Sequence, residues 1–323
     1  MKPLIWIIDE EWPDYVLEKR VFDESFSDYE LRFSSNDYAA DLRAFGYRAD
    51  AVLVQIGVNA DASFLNKLEA CKILSVYGSG YNNVDVAAAQ AKGIPVAFVP
   101  GYCAEDIAEY VLAAVCTFQK SLTGYADSIR NGLWGAQAES ILGHRIGAGT
   151  LLVAGFGRIG RTVAQKAGAL GMQILAYDPF VREDTLGSVG ARAVTLEEGL
   201  AQADFVSVHT TYSPGMKPLF AETEFARMKK TAVLINASRG GVVDQKALVA
   251  AVAAGTLRGA ALDVLESEPP MPEDPVLHTS GVLVTPHISY YSEESLAELQ
   301  ARAAQNVVAI LTGRGRADLV PVC

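Results

Sequence analysis

Short apolar runs alternate with helix-like segments along almost the whole chain, and this alternation limits the fold more than any other feature. Before residue 100 the runs are Pro3–Asp9 (PLIWIID), Asp50–Ile56, Lys72–Tyr77 and Pro95–Val99. After residue 150 they are Thr150–Gly155, Gln173–Asp178, Asp204–His209, Ala232–Asn236, Arg258–Val264 and Val282–Thr285. A run that is apolar along its full length is a strand buried on both faces, and such strands separated by helices build parallel sheets. Asn36–Phe45 and Asp61–Glu69 are amphipathic stretches between them. The expected class is α/β, with ten or so strands in two doubly wound parallel-sheet domains.

Between the two series lies an Ala-rich helix candidate, Ala104–Lys120, followed by a looser, glycine-containing stretch, Ser121–Gly149. The chain closes with Ser292–Leu311, where Leu296, Leu299, Ala303, Val307 and Ile310 recur at helical spacing. Ser292 suits the N-cap of that helix, and Glu293 and Glu294 suit the positive end of its dipole. Half of the 323 residues are hydrophobic and 20% are charged, so a large core is expected.

The net charge of −11 argues against binding a nucleic-acid backbone, which needs clustered Lys and Arg. Cys71, Cys103, Cys116 and Cys323 form neither a CxxC nor any other metal-ligand spacing; they read as reduced thiols of a cytoplasmic protein, with no metal site. The N-terminal apolar run is short and flanked by acidic residues, unlike a secretory signal. No window approaches the ~18 apolar residues of a membrane span.

Thr150–Gly155 leads into Gly155-Phe-Gly157-Arg-Ile-Gly160, then into a helix in which Val163, Ala167 and Leu170 share a face. The next strand ends at Asp178, 18 residues after Gly160. GxGxxG alone is a weak signal, but strand, loop, helix and acidic strand end together form the dinucleotide-binding arrangement. Gly155 permits the tight turn, Gly157 admits a pyrophosphate to the backbone, and Gly160 lets helix and strand pack closely. The helix N-terminus offers free N–H groups to phosphate. A carboxylate at 178 would accept hydrogen bonds from ribose hydroxyls and repel a 2′-phosphate, which favours NAD over NADP. Arg182 and Arg192 downstream keep NADP open, and a βαβ unit without cofactor is the bland alternative.

Three polar residues follow later strands: Arg239 in INASRGGVVD, Glu268 in DVLESEP and His287 in TPHIS. A guanidinium grips a carboxylate through two hydrogen bonds, as an α-keto or α-hydroxy acid would require. Hydride transfer to a carbonyl carbon needs a proton on its oxygen, a task for histidine, and a carboxylate beside it would orient the ring and hold its proton. Taken singly, Arg239 also fits a surface turn, Glu268 a solvated loop and His287 an ordinary turn. His209 ends a strand and borders the cofactor cleft, whereas His144 and His278 read as loop residues.

The segments YGSGYNNVD (77–85), GFGRIG, AYDPF (176–180), INASRGGVVD, GAALDVLESEP and TPHISYYSEES, in this order, resemble the D-2-hydroxyacid dehydrogenases over nearly the whole chain. The resemblance implies a flavodoxin-like substrate domain (1–102 and 292–323) and a Rossmann NAD-binding domain (103–291), with the active site in the cleft between them. It implies that Arg239 binds the substrate carboxylate, that Glu268 holds His287, and that His287 is the general acid/base. Asp178 would bind the ribose, Arg158 and Ile159 would lie at the pyrophosphate, and Thr210 and Asp263 near the nicotinamide. Ala237 and His209 join these cofactor-contacting positions. Gly78 and Ser79 would form a loop whose N–H groups meet the substrate carboxylate, with Ser79 also reaching the cofactor. A homodimer through the nucleotide domain is the usual assembly.

Within the family, Tyr290-Tyr291-Ser292-Glu293 after His287 looks most like the C-terminal-binding-protein branch, in which the position of Tyr290 is an aromatic wall of the substrate pocket. Many members carry arginine two residues before the GxG of the first domain, where this chain has Val76. That departure counts against doubly anionic, phosphoglycerate-type substrates. Relatives active on formate pair their histidine with glutamine, so Glu268 counts against that activity too. The reading is an NAD-dependent reductase of a small 2-keto acid with an apolar or aromatic side chain, with Val76, Tyr77, Tyr102 and Tyr290 as pocket residues. The alternative is an NAD(H)-sensing interaction protein of the corepressor kind.

Overall fold

The computed structural model describes residues 2–138, 144–181, 189–212 and 215–321. It divides into one unit of Met1–Tyr102 with Ser292–Cys323 and a second of Cys103–Tyr291. The first unit runs β1 (Leu4–Ile8), α1 (Val16–Ser25), β2 (Glu30–Ser34), α2 (Ala39–Ala44), β3 (Ala51–Gln55), α3 (Ala62–Asn66), β4 (Ile73–Tyr77), α4 (Val86–Ala91) and β5 (Val96–Ala97). The second runs α5 (Ala104–Gln119), α6 (Leu122–Arg130), β6 (Thr150–Ala154), α7 (Arg158–Ala169), β7 (Gln173–Tyr177), β8 (Arg192–Ala193), α8 (Leu196–Gln202) and β9 (Phe205–Val208). It continues through α9 (Glu222–Arg227), β10 (Val233–Asn236), α10 (Gln245–Ala253), β11 (Gly259–Leu262), α11 (Pro275–His278) and β12 (Val282–Val284). The final helix, α12 (Glu293–Thr312), returns to the first unit.

The small sheet has the order β2-β1-β3-β4-β5 and the large one β12-β11-β10-β9-β6-β7-β8. All of their strand pairings are parallel. The two parallel-sheet α/β units are as expected for the class. Strands β1, β3 and β4 are buried at every position because helices cover both faces. Trp6 fills one side of the small core, edge-on to Tyr38 and Phe45, and its indole N–H donates to Ser34 Oγ at 2.8 Å. In each sheet the chain leaves two neighbouring strands toward opposite faces, β1 and β3 in one and β6 and β9 in the other. Ligand crevices of open α/β sheets form at the carboxyl ends of such strands.

Some elements differ from expectation. Pro95–Val99 narrows to the two-residue β5, and β2 and β8 are additional strands. Both extra strands are sheet edges with partly exposed side chains, so no apolar run marks them. The stretch after Lys120 opens with the nine-residue helix α6, although Gly124 lies within it. Helix α12 is capped as expected: Ser292 Oγ accepts from the Ser295 N–H at 3.0 Å.

Candidate active site

The glycine loop follows β6 at the large sheet's crevice. Gly155 takes φ +94°, and a side chain there would run into the His209 carbonyl at the end of β9. Gly160 packs so tightly that a Cβ would overlap the Gly155 carbonyl, whereas one on Gly157 would meet nothing within 4 Å. The open face over Gly157 is where a phosphate can reach backbone N–H groups at the N-terminus of α7. Asp178 lies against this loop: its Oδ2 accepts from the Phe156 N–H at 2.7 Å and its Oδ1 from the Phe180 N–H at 2.9 Å. Across the crevice the Thr210 hydroxyl is buried without a partner. Burial pushes the His209 pKa down to about 4, and its Nε2 pairs with Ser207 Oγ at 2.7 Å. That ring stays neutral at physiological pH.

The three polar residues converge at the ends of β10, β11 and β12. Glu268 Oε2 lies 2.7 Å from His287 Nδ1, and Glu268 Oε1 accepts from the Leu265 N–H at 2.8 Å. Burial pulls the Glu268 carboxyl upward; the His287 hydrogen bond and charge, the Leu265 N–H and the charge of Arg239 outweigh it and hold the group below its ordinary value. Arg239 leaves β10 in extended conformation and is followed by Gly240, where any Cβ would collide with the Leu265 backbone. Close packing of those two loops therefore sets the guanidinium beside Glu268. The engagement of His287 Nδ1 leaves Nε2 as the nitrogen free to exchange a proton.

His287 itself adopts φ +55°. This left-handed conformation costs an L-residue roughly 1–2 kcal/mol. Hydrogen bonding from Asp263 secures the turn. The Asp263 carbonyl accepts from the His287 N–H at 2.9 Å, and its carboxylate accepts from the N–H groups of Ile288 (2.9 Å) and Ser289 (2.8 Å) and from the Thr285 hydroxyl (2.6 Å). The Tyr110 hydroxyl, on α5, reaches Thr285 Oγ1 at 2.9 Å.

In the first unit, Gly78 follows β4 and is clamped: its N–H donates to the Val76 carbonyl at 3.0 Å and its own carbonyl accepts from the Val99 N–H at 2.8 Å. Ser79 is half-buried beside it. Val76 and Tyr77, expected to face a ligand, are instead enclosed. Val76 is packed into the core of its unit, and Tyr77 turns its phenol inward onto Glu18 at 2.8 Å. Consecutive residues of a strand covered on both faces have no open side. Tyr102 and Tyr290 are half-buried, and Tyr290 packs edge-on against Tyr291 at 5.8 Å.

Residues 112–289 match the family described as "D-isomer specific 2-hydroxyacid dehydrogenase, NAD binding domain". Over 273 residues the chain is 36% identical to a glyoxylate reductase of Korarchaeum cryptofilum, covering 84% of this chain and 82% of that protein. The chain belongs to the D-isomer specific 2-hydroxyacid dehydrogenases. It is also 33% identical over 264 residues to a D-3-phosphoglycerate dehydrogenase of Archaeoglobus fulgidus, covering 82% of this chain but only 50% of that longer protein. Among solved structures, a D-lactate dehydrogenase of Aquifex aeolicus complexed with NAD and lactic acid aligns with TM-score 0.85 and 27% identity, over 96% of each chain.

NAD is the cofactor of this dehydrogenase, and the residues present fit it: an open face at Gly157, the Asp178 carboxylate bonded to the glycine loop and an orphaned hydroxyl at Thr210. Arg192 is held by Gln202 at 2.6 Å, and Arg182 lies outside the described residues. Arg158 is exposed at the start of α7, Ile159 packs against the core, and Ala237 is buried just past β10. Asp263, expected near the nicotinamide, organises the histidine turn. Two features escaped the sequence reading. Tyr110 ties that turn to α5. Asn236 shapes the arginine turn, its Oδ1 accepting from the Ser238 N–H at 3.0 Å and its Nδ2 donating to the Arg239 carbonyl at 3.0 Å. Of these, only asparagine at a strand end, a common turn former, carries a local signal. Among the described residues no His/Cys/Asp/Glu group suits a metal ion, and no helix is long and apolar enough to cross a membrane.

Proposed function

We propose that this dehydrogenase reduces a small 2-keto acid with an apolar or aromatic side chain to the D-2-hydroxy acid. The observation that carries the reading is the 2.7 Å contact between His287 Nδ1 and Glu268 Oε2, with Arg239 close enough to act on the same carboxylate. When bound, NADH supplies the hydride to the keto carbon. Arg239 pairs with the substrate carboxylate and polarises the carbonyl. His287, positively charged and oriented by Glu268, gives its Nε2 proton to the carbonyl oxygen as that oxygen becomes a hydroxyl; in the reverse direction the neutral ring takes the proton back.

The Tyr290-Tyr291-Ser292-Glu293 run supports a kinship with the C-terminal-binding-protein branch, and retention of all three catalytic positions favours turnover over sensing alone. Leu122, Tyr125, Ile129, Leu133 and Trp134 are exposed along and just after α6, and Trp134 is 78% accessible. Covering this apolar face in a homodimer is the assembly we infer. Cys71, Cys103 and Cys116 are not joined in disulfides, which favours the cytoplasm. Incubation of the purified protein with NADH and a panel of 2-keto acids tests the activity. Oxidation of NADH with at least one of them is expected, and none across the panel would overturn the reading.

A further inference from the structure

Asp263, just past β11, is 1% exposed, and the donors around its carboxylate are neutral groups. Oδ1 accepts from the Thr285 hydroxyl (2.6 Å) and the Ile288 N–H (2.9 Å), and Oδ2 accepts from the Ser289 N–H (2.8 Å). Burying a carboxylate is costly unless donors surround it, so each of the three matters. Two of them are main-chain groups of the turn that holds His287 at φ +55°, a conformation that an L-residue leaves when released. The third, the Thr285 hydroxyl, is a rotor that can also point elsewhere.

Tyr110 fixes the direction of that rotor. A hydroxyl has one proton, and a carboxylate has none to give, so the Thr285 proton lies in the bond to Asp263. In the 2.9 Å contact between Thr285 Oγ1 and the Tyr110 hydroxyl, the phenol is therefore the donor. Burial pushes the Tyr110 pKa up to about 12, so the phenol keeps the proton that it offers. The result is a directed chain from Tyr110 through Thr285 to Asp263, in which each bond polarises the next. It ends on the acceptor that orders the histidine turn.

The phenol is also well anchored. The Tyr110 ring packs against a core shared by Val111 and Val115 of α5, Val163 and Ala167 of α7 and Ile235 of β10. Lys166 of α7 reaches Glu105 at 2.8 Å and Glu109 at 2.7 Å on α5. A phenylalanine at 110 would keep this packing and lose only the hydroxyl. We propose that Tyr110 is a positioning residue of the reaction: by donating to Thr285 it commits the Thr285 proton to Asp263 and keeps His287 in the turn from which it acts as proton donor. The inference rests on the reading of His287 as the general acid/base. Without the phenol, Thr285 is free to rotate, Asp263 loses a donor, and the turn relaxes and carries the imidazole off line. The glycine loop is untouched, so affinity for NADH stays.

Steady-state kinetics of Tyr110→Phe, Thr285→Val and the double variant test it, beside His287→Ala, with NADH and a 2-keto acid that the unmodified protein reduces. Each single variant should lower kcat roughly 3–10-fold, the scale of one hydrogen bond, with the KM for NADH unchanged. Because both break the same chain, the double variant should be no slower than the slower single one. Thr285→Ser keeps the hydroxyl and should stay close to the unmodified rate. Amide exchange at Ile288 and Ser289 should quicken in Tyr110→Phe, as the loss reaches the turn. A bond that only stabilised the fold would lower the melting temperature and leave kcat alone. A kcat for Tyr110→Phe within about twofold of the unmodified protein, or losses that multiply in the double variant, would overturn the proposal. The proton-donor reading would survive that result if His287→Ala were still slowed by ~10²–10⁴. No turnover of any keto acid, or a His287→Ala variant as fast as the unmodified protein, would remove that reading, and the proposal with it.

Discussion

At the carboxyl end of the large sheet, Gly155 turns the chain away from β6 against the His209 carbonyl, Gly157 leaves its backbone exposed, and the Thr210 hydroxyl beyond β9 waits without a partner. At the same end of the small sheet, β1 and β3 lead into Asp9 and Gln55, whose side chains close over the strands with Trp12, Tyr15 and Glu18 behind them. Both sheets have the topology that creates a crevice. One is kept open by residues with no side chain and the other is filled by residues that hydrogen-bond to one another. The open crevice is a place for a large anionic cofactor. The filled one is a rigid backing for the loop in front of it, and its weak point is Glu18, a buried carboxylate whose Oε1 accepts from Tyr77 while Oε2 has no partner.

Gly160→Val strikes the open crevice hardest. Its side chain overlaps the Gly155 carbonyl, so overpacking should cost roughly 1–3 kcal/mol of stability and NADH should no longer quench protein fluorescence. Retained binding would mean that helix α7 can move off the loop without consequence. Asp263→Asn has a comparable cost confined to the histidine turn. It places an amide among three donors, should lower stability by about 1–3 kcal/mol, and should lower kcat more than it raises the KM for NADH. Thermal melting with steady-state kinetics checks both parts.

The filled crevice predicts a smaller effect with a definite sign. Glu18 in the folded protein holds its proton up to about pH 7, while in the unfolded chain it ionises near 4.5. Between these values the unfolded state releases a proton that the folded state keeps, so this group's contribution to stability falls as pH rises and is least favourable above 7. Glu18→Gln should therefore melt a few degrees higher than the unmodified protein at pH 8, with the gain vanishing near pH 4.5. An equal difference at both pH values would show that the carboxyl does not titrate in this window.

Much of this was legible in the sequence, for identifiable reasons. Strands buried on both faces must be apolar throughout, so Leu4–Ile8 or Ala51–Gln55 cannot be mistaken for loops. The glycine loop announces itself because each glycine answers a distinct steric demand at a fixed spacing. Arg239, Glu268 and His287 could be singled out because each follows a strand and carries a polar group that the core has no use for. The edge strand β2 (ELRFS) gave no such signal, since a strand exposed along one side need not be apolar. Least legible were the long-range partnerships. Tyr77 with Glu18 and Tyr110 with Thr285 join residues 59 and 175 positions apart. No local spacing reveals such pairs. Val76 and Tyr77 illustrate the same limit: their nearness to the Gly78 loop is plain in the sequence, but which way a doubly covered strand turns its side chains is decided by packing.

The central claim is that His287, held by Glu268, supplies the proton for carbonyl reduction, and the direct measurement is kcat for His287→Ala with NADH and a 2-keto acid that the unmodified protein reduces. We expect kcat to fall by ~10²–10⁴ with affinity for NADH unchanged. A kcat within a few-fold of the unmodified protein would contradict the assignment.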